Sequence, residues 1–358
     1  MRFSFTPEQL ELRAGAAALM SALCTPADLR AILEDASPSV GRSDERWSAL
    51  AELGATGILA PEEAGGLGLS EVELIGVLEE AGKVALPEPL GVHAFVAVPL
   101  LAAIGAGSLL ADAAAGTVIV SVGGVDADAE GPVVVQSDGE LSTGRVEAAS
   151  RAASFLLAVA RDGGVELHLL DRSDVAIRLT PTLDPSRDLG EITWSPSAAT
   201  KVAQGPEAVL LVDMLCSRLA VQAAAQLCGL AETMLSITAA YALDRVQFGK
   251  PIGSFQSVKH LLADVRISLE FARPAVYRAA WSLATDDDEL HHDAALAKAL
   301  SSALAEQAAA SCLQVHGAIG YTFENDLQLF LRRSWGLAAA YGDAATQRAR
   351  AMGLGLGI

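Results

Sequence analysis

The sequence predicts an α+β protein with three parts: an N-terminal α-helical domain, a middle antiparallel β-barrel domain and a C-terminal four-helix bundle. The predicted domains cover residues 1–115, 116–206 and 207–358. Two observations lead to this prediction. Apolar residues recur at helical spacing in the first and last parts, whereas short Val- and Leu-rich runs fill the middle. A chain of 358 residues is also longer than most single hydrophobic cores.

The N-terminal domain is predicted from segments such as 43–53 and 70–84, in which apolar side chains recur every three to four residues. Thr6 can cap a first helix, with Pro7 at its first helical position. The apolar stretch 94–110 is interrupted by a proline and two glycines, and it is shorter than the ~20 clean residues of a membrane-spanning helix. We therefore expect a buried core helix there.

The middle domain is predicted from short runs rich in Val and Leu that are separated by clusters of Gly, Asp and Ser. Such runs are typical of antiparallel strands. They cover 117–122, 132–136, 153–160 and 165–170, and the pattern continues through 175–182 and 191–194.

The C-terminal part contains four long helical blocks, near 207–242, 253–285, 289–317 and 324–352. A helix of ~30 residues is ~45 Å long, which is too long for an isolated surface helix. Four such helices joined by short turns predict a helical bundle.

Charge and cysteine content limit the classes of partner. The chain has 25 Lys and Arg against 44 Asp and Glu, a formal net charge of −19, so it repels phosphate backbones and anionic lipids. We therefore expect neither nucleic acid nor membrane as a partner. The cysteines form no Cys-x-x-Cys pair, and we see no secretory signal, so we expect reduced thiols and a cytoplasmic location.

The segment from Arg245 to Gln256 reads Arg-Val-Gln-Phe-Gly-Lys-Pro-Ile-Gly-Ser-Phe-Gln and joins two predicted helices. The guanidinium of Arg245 can bind two phosphate oxygens at once. The glycines and the proline force a turn, and Gln256 can both donate and accept hydrogen bonds. These groups predict a dinucleotide contact outside any Rossmann unit, with an ordinary helix connection and an exposed arginine as the alternative.

The order Arg-x-x-Phe-Gly-x-x-Ile-x-x-Phe-Gln resembles the flavin-binding signature of the acyl-CoA dehydrogenase family. Residues 61–70 resemble the family's N-terminal loop, and residues 314–321 resemble its Gln-x-x-Gly-Gly-x-Gly-Tyr segment, with alanine in place of the second glycine. The resemblance implies FAD between the β domain and the bundle, with a second subunit's bundle corner at the pyrophosphate and adenine. The implied cofactor-binding residues are Arg245, Phe248, Gln256, Gln314 and Gly317.

In this family a carboxylate takes the α proton of an acyl-CoA thioester while the flavin takes the β hydride. The usual glutamate position reads Gly342 here, and a one-residue slide would place Asp343 there as the catalytic base. The family's other base position reads Ser217, for which we expect no base partner, with Asp213 one helical turn earlier. For both aspartates the alternative is a solvated charge at a helix end.

The segments that usually hold the flavin ring are not recognisable. They correspond to 120–131 and 141–145, and Gly123-Gly124 is more typical of a turn between strands. The acidic and His-rich segment 286–293 is expected to be a solvated loop between helices, so we predict no metal site. We expect His316 to be a buried or interface residue.

The adenine-side residues are thus kept while the ring and base motifs are lost. We expect a partner subunit in a heteromeric FAD-dependent acyl-CoA dehydrogenase, a heterotetramer with a homologous subunit, similar to short subunits of actinobacterial steroid side-chain oxidation. The alternatives are a self-sufficient homo-oligomeric enzyme with an aspartate base, a flavoprotein oxidase and a flavin-free scaffold of the same fold.

Overall fold

The computed structural model describes residues 4–35, 37, 40–125, 135–137, 140–161 and 164–356. The N-terminal part is helical. Its α-helices are α1 (Pro7–Leu23), α2 (Pro26–Glu34), α3 (Asp44–Glu52), α4 (Glu71–Lys83), α5 (Val98–Ala103) and α6 (Gly107–Ala114). Thr6 caps α1 as predicted, since its hydroxyl accepts a hydrogen bond from the backbone N–H of Gln9.

The apolar stretch before α5 is a buried helix, as predicted, but its first part, Gly91–Ala97, is a π-helix. His93 in this segment is fully buried, and its two ring nitrogens bond the carbonyl of Ala113 and the N–H of Val120. Burial lowers the pKa of His93 to about 4, so the ring is neutral. His93 therefore joins the helical part to the first strand.

The middle part forms two four-stranded sheets. The strands are β1 (Val120–Gly123), β2 (Val135–Ser137), β3 (Glu140–Val146), β4 (Ser154–Arg161), β5 (Gly164–Asp171), β6 (Val175–Leu179), β7 (Gly190–Trp194) and β8 (Lys201–Gln204). One sheet has the order β1-β4-β5-β8 and the other β2-β3-β7-β6.

The predicted antiparallel barrel is not confirmed, because the described strands do not close into one. The strand β1 pairs with β4, and that pair is parallel. The intervening β2 and β3 belong to the other sheet. Alternating runs predict where strands lie, but the pairing of distant strands depends on contacts between the sheets. One such contact is so close that a Cβ on Gly123 would lie 2.5 Å from the Val146 side chain.

The C-terminal part consists of helices α7 (Pro206–Asp244), α8 (Gln256–Thr285), α9 (Leu290–His316), α10 (Leu327–Ala339) and α11 (Ala344–Leu356). The fourth predicted block is therefore two helices rather than one. Ala340 is extended, and Tyr341 and Gly342 have φ angles of 57° and 84°, which no α-helix can accommodate. We call residues 340–343 the α10–α11 corner.

The helix α7 is the central helix of the bundle. Length and composition would allow it to cross a membrane, but 67% of its most apolar window is buried inside the protein. Glycines let its backbone approach α4, since a Cβ on Gly229 would lie 2.0 Å from the carbonyl of Glu79. The burial identifies α7 as a core helix.

Candidate functional site

The segment 245–256, which we call the elbow, joins α7 to α8 through a short hairpin of strands β9 (Val246–Gln247) and β10 (Lys250–Pro251). Phe248 and Gly249 form its tip with φ angles of 50° and 76°, as a tight two-residue turn requires. The carbonyl of Arg245 accepts a hydrogen bond from the N–H of Ile252 at 2.8 Å and closes the loop. The Arg245 side chain is exposed, and 92% of Phe248 is exposed.

The elbow also presents the N-terminus of α8. No side chain within the described ranges caps this helix, and its first backbone N–H groups have no acceptor within the helix. Gln256 is the first helical residue and is exposed. The ammonium of Lys250 lies 4.5 Å from the centre of the Phe255 ring. The exposed helix terminus and nearby cations together favour an anionic ligand.

The end of α9 lies beside the elbow. His316 is buried, as predicted, and its ring stacks on Tyr241 of α7 at 4.4 Å with an interplanar angle of 14°. Gln314 is exposed in the last turn of α9. Gly317 has φ 63° and ψ −140°, a conformation open essentially to glycine alone, and a Cβ there would meet open space.

All five residues predicted to bind the cofactor therefore lie at one end of the bundle, on the elbow and the end of α9. Their role as ligands stays a prediction. Large exposed apolar side chains lie in the adjoining segments, at the end of α7 and just after α9, with Leu243 70%, Tyr321 75% and Phe323 67% exposed. Exposed apolar groups around a polar site are typical of a surface that meets another protein.

The α10–α11 corner disfavours the family's glutamate. Gly342 is buried, and a Cβ added to it would lie 2.6 Å from Nε2 of Gln347. Its positive φ also disfavours every residue with a side chain. The backbone conformation therefore favours glycine at the expected base position, and a larger residue would also have to displace the Gln347 side chain.

Asp343 lies next to it but serves as the N-cap of α11. Its Oδ1 accepts a hydrogen bond from the backbone N–H of Thr346 at 2.8 Å. The side chain is exposed, and backbone hydrogen bonds from Thr346 lower the pKa of Asp343 below its usual value. A carboxylate with a lowered pKa is a weaker proton acceptor, so the geometry favours a structural role over the predicted catalytic one.

Lys298 of α9 contacts the α10–α11 corner, a contact that was not predicted from the sequence. Its ammonium is fully buried and donates to Oγ of Ser302 at 2.7 Å and to the carbonyls of Ala338 and Gly342 at 3.0 and 2.9 Å. Burial, with a smaller contribution from the nearby charge of Arg187, lowers the pKa of Lys298 to about 7, although two carboxylates act in the opposite direction. A lone lysine within an Ala-rich helix was the available signal.

A second unpredicted group joins the corner to the sheets. The hydroxyl of Tyr341 donates to Oε1 of Glu147 at 2.7 Å, and Nε of Arg187 donates to the same oxygen at 2.7 Å. Arg187 also donates to the carbonyl of Gly336 in α10 at 3.0 Å. We call Glu147, Arg187 and Tyr341 the seam. Burial raises the pKa of Tyr341 well above its usual value, so the hydroxyl stays protonated.

The contacts of the seam indicate whether a flavin ring can fit between this chain's own sheets and its bundle. Glu147 follows the segment 141–145 that corresponds to a ring-holding segment, and Tyr341 precedes the expected base position. A direct hydrogen bond between them leaves no layer for a ring at that point. At the other segment a Cβ on Gly124 would lie 2.0 Å from the carbonyl of Ala158. Residues 126–131 of that segment lie outside the described residues.

The residues at the family's other base position, Ser217 and its neighbour Arg218, also make contacts within the chain. The prediction that Ser217 lacks a base partner was wrong, because its hydroxyl lies 2.8 Å from Nδ1 of His291. The next residue, Arg218, is buried and donates to Glu71 at 2.6 Å and to the carbonyl of Phe95 at 3.1 Å. Ser217 and His291 are 74 positions apart, so spacing could not reveal the pair.

The segment 286–293 forms ion pairs rather than a ligand cluster. Asp287 and Asp293 both pair with Arg278, at 3.2 and 2.8 Å. Among the residues that the structure describes, no group of three or more His, Cys, Asp or Glu side chains is arranged to hold a metal ion.

Comparison with known proteins agrees with the fold. Residues 6–108 match the acyl-CoA dehydrogenase N-terminal domain, and residues 211–352 match the acyl-CoA dehydrogenase C-terminal domain. The acyl-CoA dehydrogenase IpdE2 of Mycolicibacterium smegmatis is 31% identical over 340 residues, which are 95% of this chain and 96% of the relative. The chain therefore belongs to the acyl-CoA dehydrogenase family, and the resemblance seen in the sequence is confirmed.

Two solved structures resemble the whole chain. The ChsE4-ChsE5 complex from Mycobacterium tuberculosis has a TM-score of 0.86 at 27% identity and covers 100% of this chain and 99% of that one. The Tcur3481-Tcur3483 steroid ACAD G363A variant has a TM-score of 0.82 at 26% identity and covers 98% of each chain.

Proposed function

We propose that this chain is the non-catalytic subunit of a heteromeric, FAD-dependent acyl-CoA dehydrogenase. It contributes the elbow to a flavin whose ring and catalytic base belong to a homologous partner subunit. The observation that carries the proposal is a contrast within one chain. The elbow is open and presents backbone donors that no side chain in the described residues caps, whereas the seam is closed by hydrogen bonds.

The residues at the elbow suit the pyrophosphate and adenine end of FAD. Arg245 is exposed and can bind two phosphate oxygens, and the uncapped N-terminus of α8 adds backbone donors. Gln256 and Gln314 can each donate to and accept from an adenine or a ribose. Gly317 allows the backbone to approach a ligand closely. Bound FAD would accept the hydride from the β carbon of the acyl-CoA.

Neither of the family's two usual base positions carries a carboxylate in this chain, which has Gly342 and Ser217 there. Gly342 cannot take a proton, Asp343 caps α11, and Ser217 is bonded to His291. The α proton therefore needs a base from the partner subunit. This division of roles explains why the adenine-side residues persist in a chain whose own seam is closed by hydrogen bonds.

The kinds of partner and substrate are supported by the similar structures. Each of the two similar structures is named for two proteins: the ChsE4-ChsE5 complex and the Tcur3481-Tcur3483 steroid ACAD. We infer a heterotetramer with a homologous acyl-CoA dehydrogenase subunit, acting on an acyl-CoA in steroid side-chain β-oxidation in the cytoplasm. The chain's net charge of −19 means that the anionic CoA must be held by local cations, which we place on the partner.

The test is to purify the chain alone and together with the subunit that co-purifies from the native host. Flavin content is measured from the absorbance spectrum, and oxidation of acyl-CoAs is followed with an artificial electron acceptor. We expect a colourless, inactive chain alone and an active yellow complex. A chain that binds stoichiometric FAD and oxidises substrate alone would establish the self-sufficient enzyme, and an assembly without flavin would establish the scaffold.

A further inference from the structure

The outer surface of the bundle has an apolar groove between α9 and α11, with a volume of about 400 Å³. We call it the α9–α11 groove. Its walls are Leu296 and Leu300 of α9 and Ala351 and Met352 of α11. This volume lies within the range of small-molecule sites in proteins, and walls of aliphatic side chains suit an apolar ligand.

The parts of the chain that the structure describes do not cover the walls of the groove. Leu296 and Leu300 are each 37% exposed, and Met352 is 59% exposed. Removing such surface from water is favourable, so the groove has a physical reason to bind an apolar body.

A cation lines the same groove. Arg348 is exposed and makes no ion pair with any residue in the described part of the chain, although acidic residues outnumber basic ones by 44 to 25. His292 also lines the groove, and its Nδ1 lies 3.5 Å from Oδ1 of Asp293. Helix α11 carries two arginines and no carboxylate, so the groove offers a local positive charge on an acidic protein.

The groove is separate from the elbow. His292 lies in the first turn of α9 and Gln314 in the last, about 33 Å apart along the helix axis. A ligand in the groove would therefore not touch the proposed cofactor residues.

We propose that the α9–α11 groove binds a hydrophobic carboxylate. The aliphatic or alicyclic body lies between Leu296, Leu300 and Met352, and the carboxylate pairs with the guanidinium of Arg348. A planar guanidinium matches a carboxylate with two parallel hydrogen bonds, which neither an alcohol nor an amine can reproduce.

The test uses the full chain labelled with ¹³C at the methionine methyl groups. Met352 reports on the groove, while Met20 and Met234 are buried in the core and serve as internal controls. The probes are decanoate, decanol and decyltrimethylammonium, which share a chain length and differ in charge. We expect a saturable shift of Met352 with decanoate, at least 10-fold weaker binding of the other two probes, and no shift of the core methionines.

Two arginine variants sharpen the test. Arg348→Gln is expected to raise the Kd of decanoate about 10- to 100-fold, the range of a hydrogen bond to a charged group, and to leave decanol unchanged. Arg178→Gln is the matched control, because Arg178 is exposed on β6 outside the groove. Equal binding of decanoate and decanol, or no saturable shift at millimolar decanoate, would overturn the proposal. A Met352 shift produced only by the partner subunit would also overturn it and identify a protein interface.

Discussion

Replacing Tyr341 with phenylalanine tests whether the seam is a closed structural contact. The change removes one hydroxyl, which donates to the carboxylate of Glu147 at 2.7 Å, and leaves the ring in place. A hydrogen bond to a charged group contributes about 1.5–3 kcal/mol. Because Arg187 still donates to the same carboxylate, we expect the lower part of that range, about 1.5–2 kcal/mol.

This loss translates into a measurable change in melting temperature. At about 2.1 cal/mol/K per residue, a chain of 358 residues has an unfolding entropy of about 0.75 kcal/mol/K. The expected decrease in Tm is therefore about 2–3 °C by calorimetry. Tyr321→Phe is the matched control, because Tyr321 is 75% exposed and loss of its hydroxyl should change Tm by less than about 0.7 °C.

The result that would refute this reasoning is a Tyr341→Phe variant with the Tm of the wild type and an altered flavin spectrum in the complex. That outcome would place the Tyr341 hydroxyl at a cofactor rather than against Glu147. It would also restore room for a flavin ring within this chain.

Two further predictions concern the α10–α11 corner. The pKa of Lys298 is lowered in the folded state, so the unfolded chain binds more protons between about pH 7 and 10. The free energy of unfolding of the wild type, relative to that of Lys298→Met, should therefore rise with pH by at most about 1.4 kcal/mol per pH unit. Urea titrations at several pH values measure this dependence, and equal pH slopes for the two proteins would contradict it. Asp343→Ala should lower the free energy of unfolding by about 1 kcal/mol, because a helix cap is lost, and Asp343→Asn should lower it by less. The complex should keep full turnover with both variants. The capping contribution is present at neutral pH and is lost on acidification, because the pKa of Asp343 is lowered in the folded state. Loss of turnover in Asp343→Asn alone would identify Asp343 as the base.

Local chemistry made the helices and the elbow predictable. Thr6 with Pro7 marks the start of α1, and the Gly-rich order after Arg245 marks a turn between helices, because capping and turn formation depend on adjacent residues. The family's cofactor residues could be placed for the same reason, since they lie within two short segments.

Contacts between distant residues were not predictable. Glu147 and Tyr341 are 194 positions apart, and the pairing of β1 with β4 passes over two strands of the other sheet. The helix break at the α10–α11 corner depends on such contacts, because Lys298 binds the carbonyls of Ala338 and Gly342 from another helix. Periodicity reports which face of a segment is buried, but it does not report the partner.

Titration of FAD onto the assembled complex decides whether the elbow holds the cofactor across a subunit boundary. The wild-type complex is compared with complexes that carry Arg245→Ala or the control Arg178→Ala in this chain alone. We predict that Arg245→Ala raises the Kd of FAD about 10- to 100-fold, the range of a charge-assisted contact, while the control leaves it unchanged. An unchanged Kd in Arg245→Ala would contradict the placement of the elbow at the flavin.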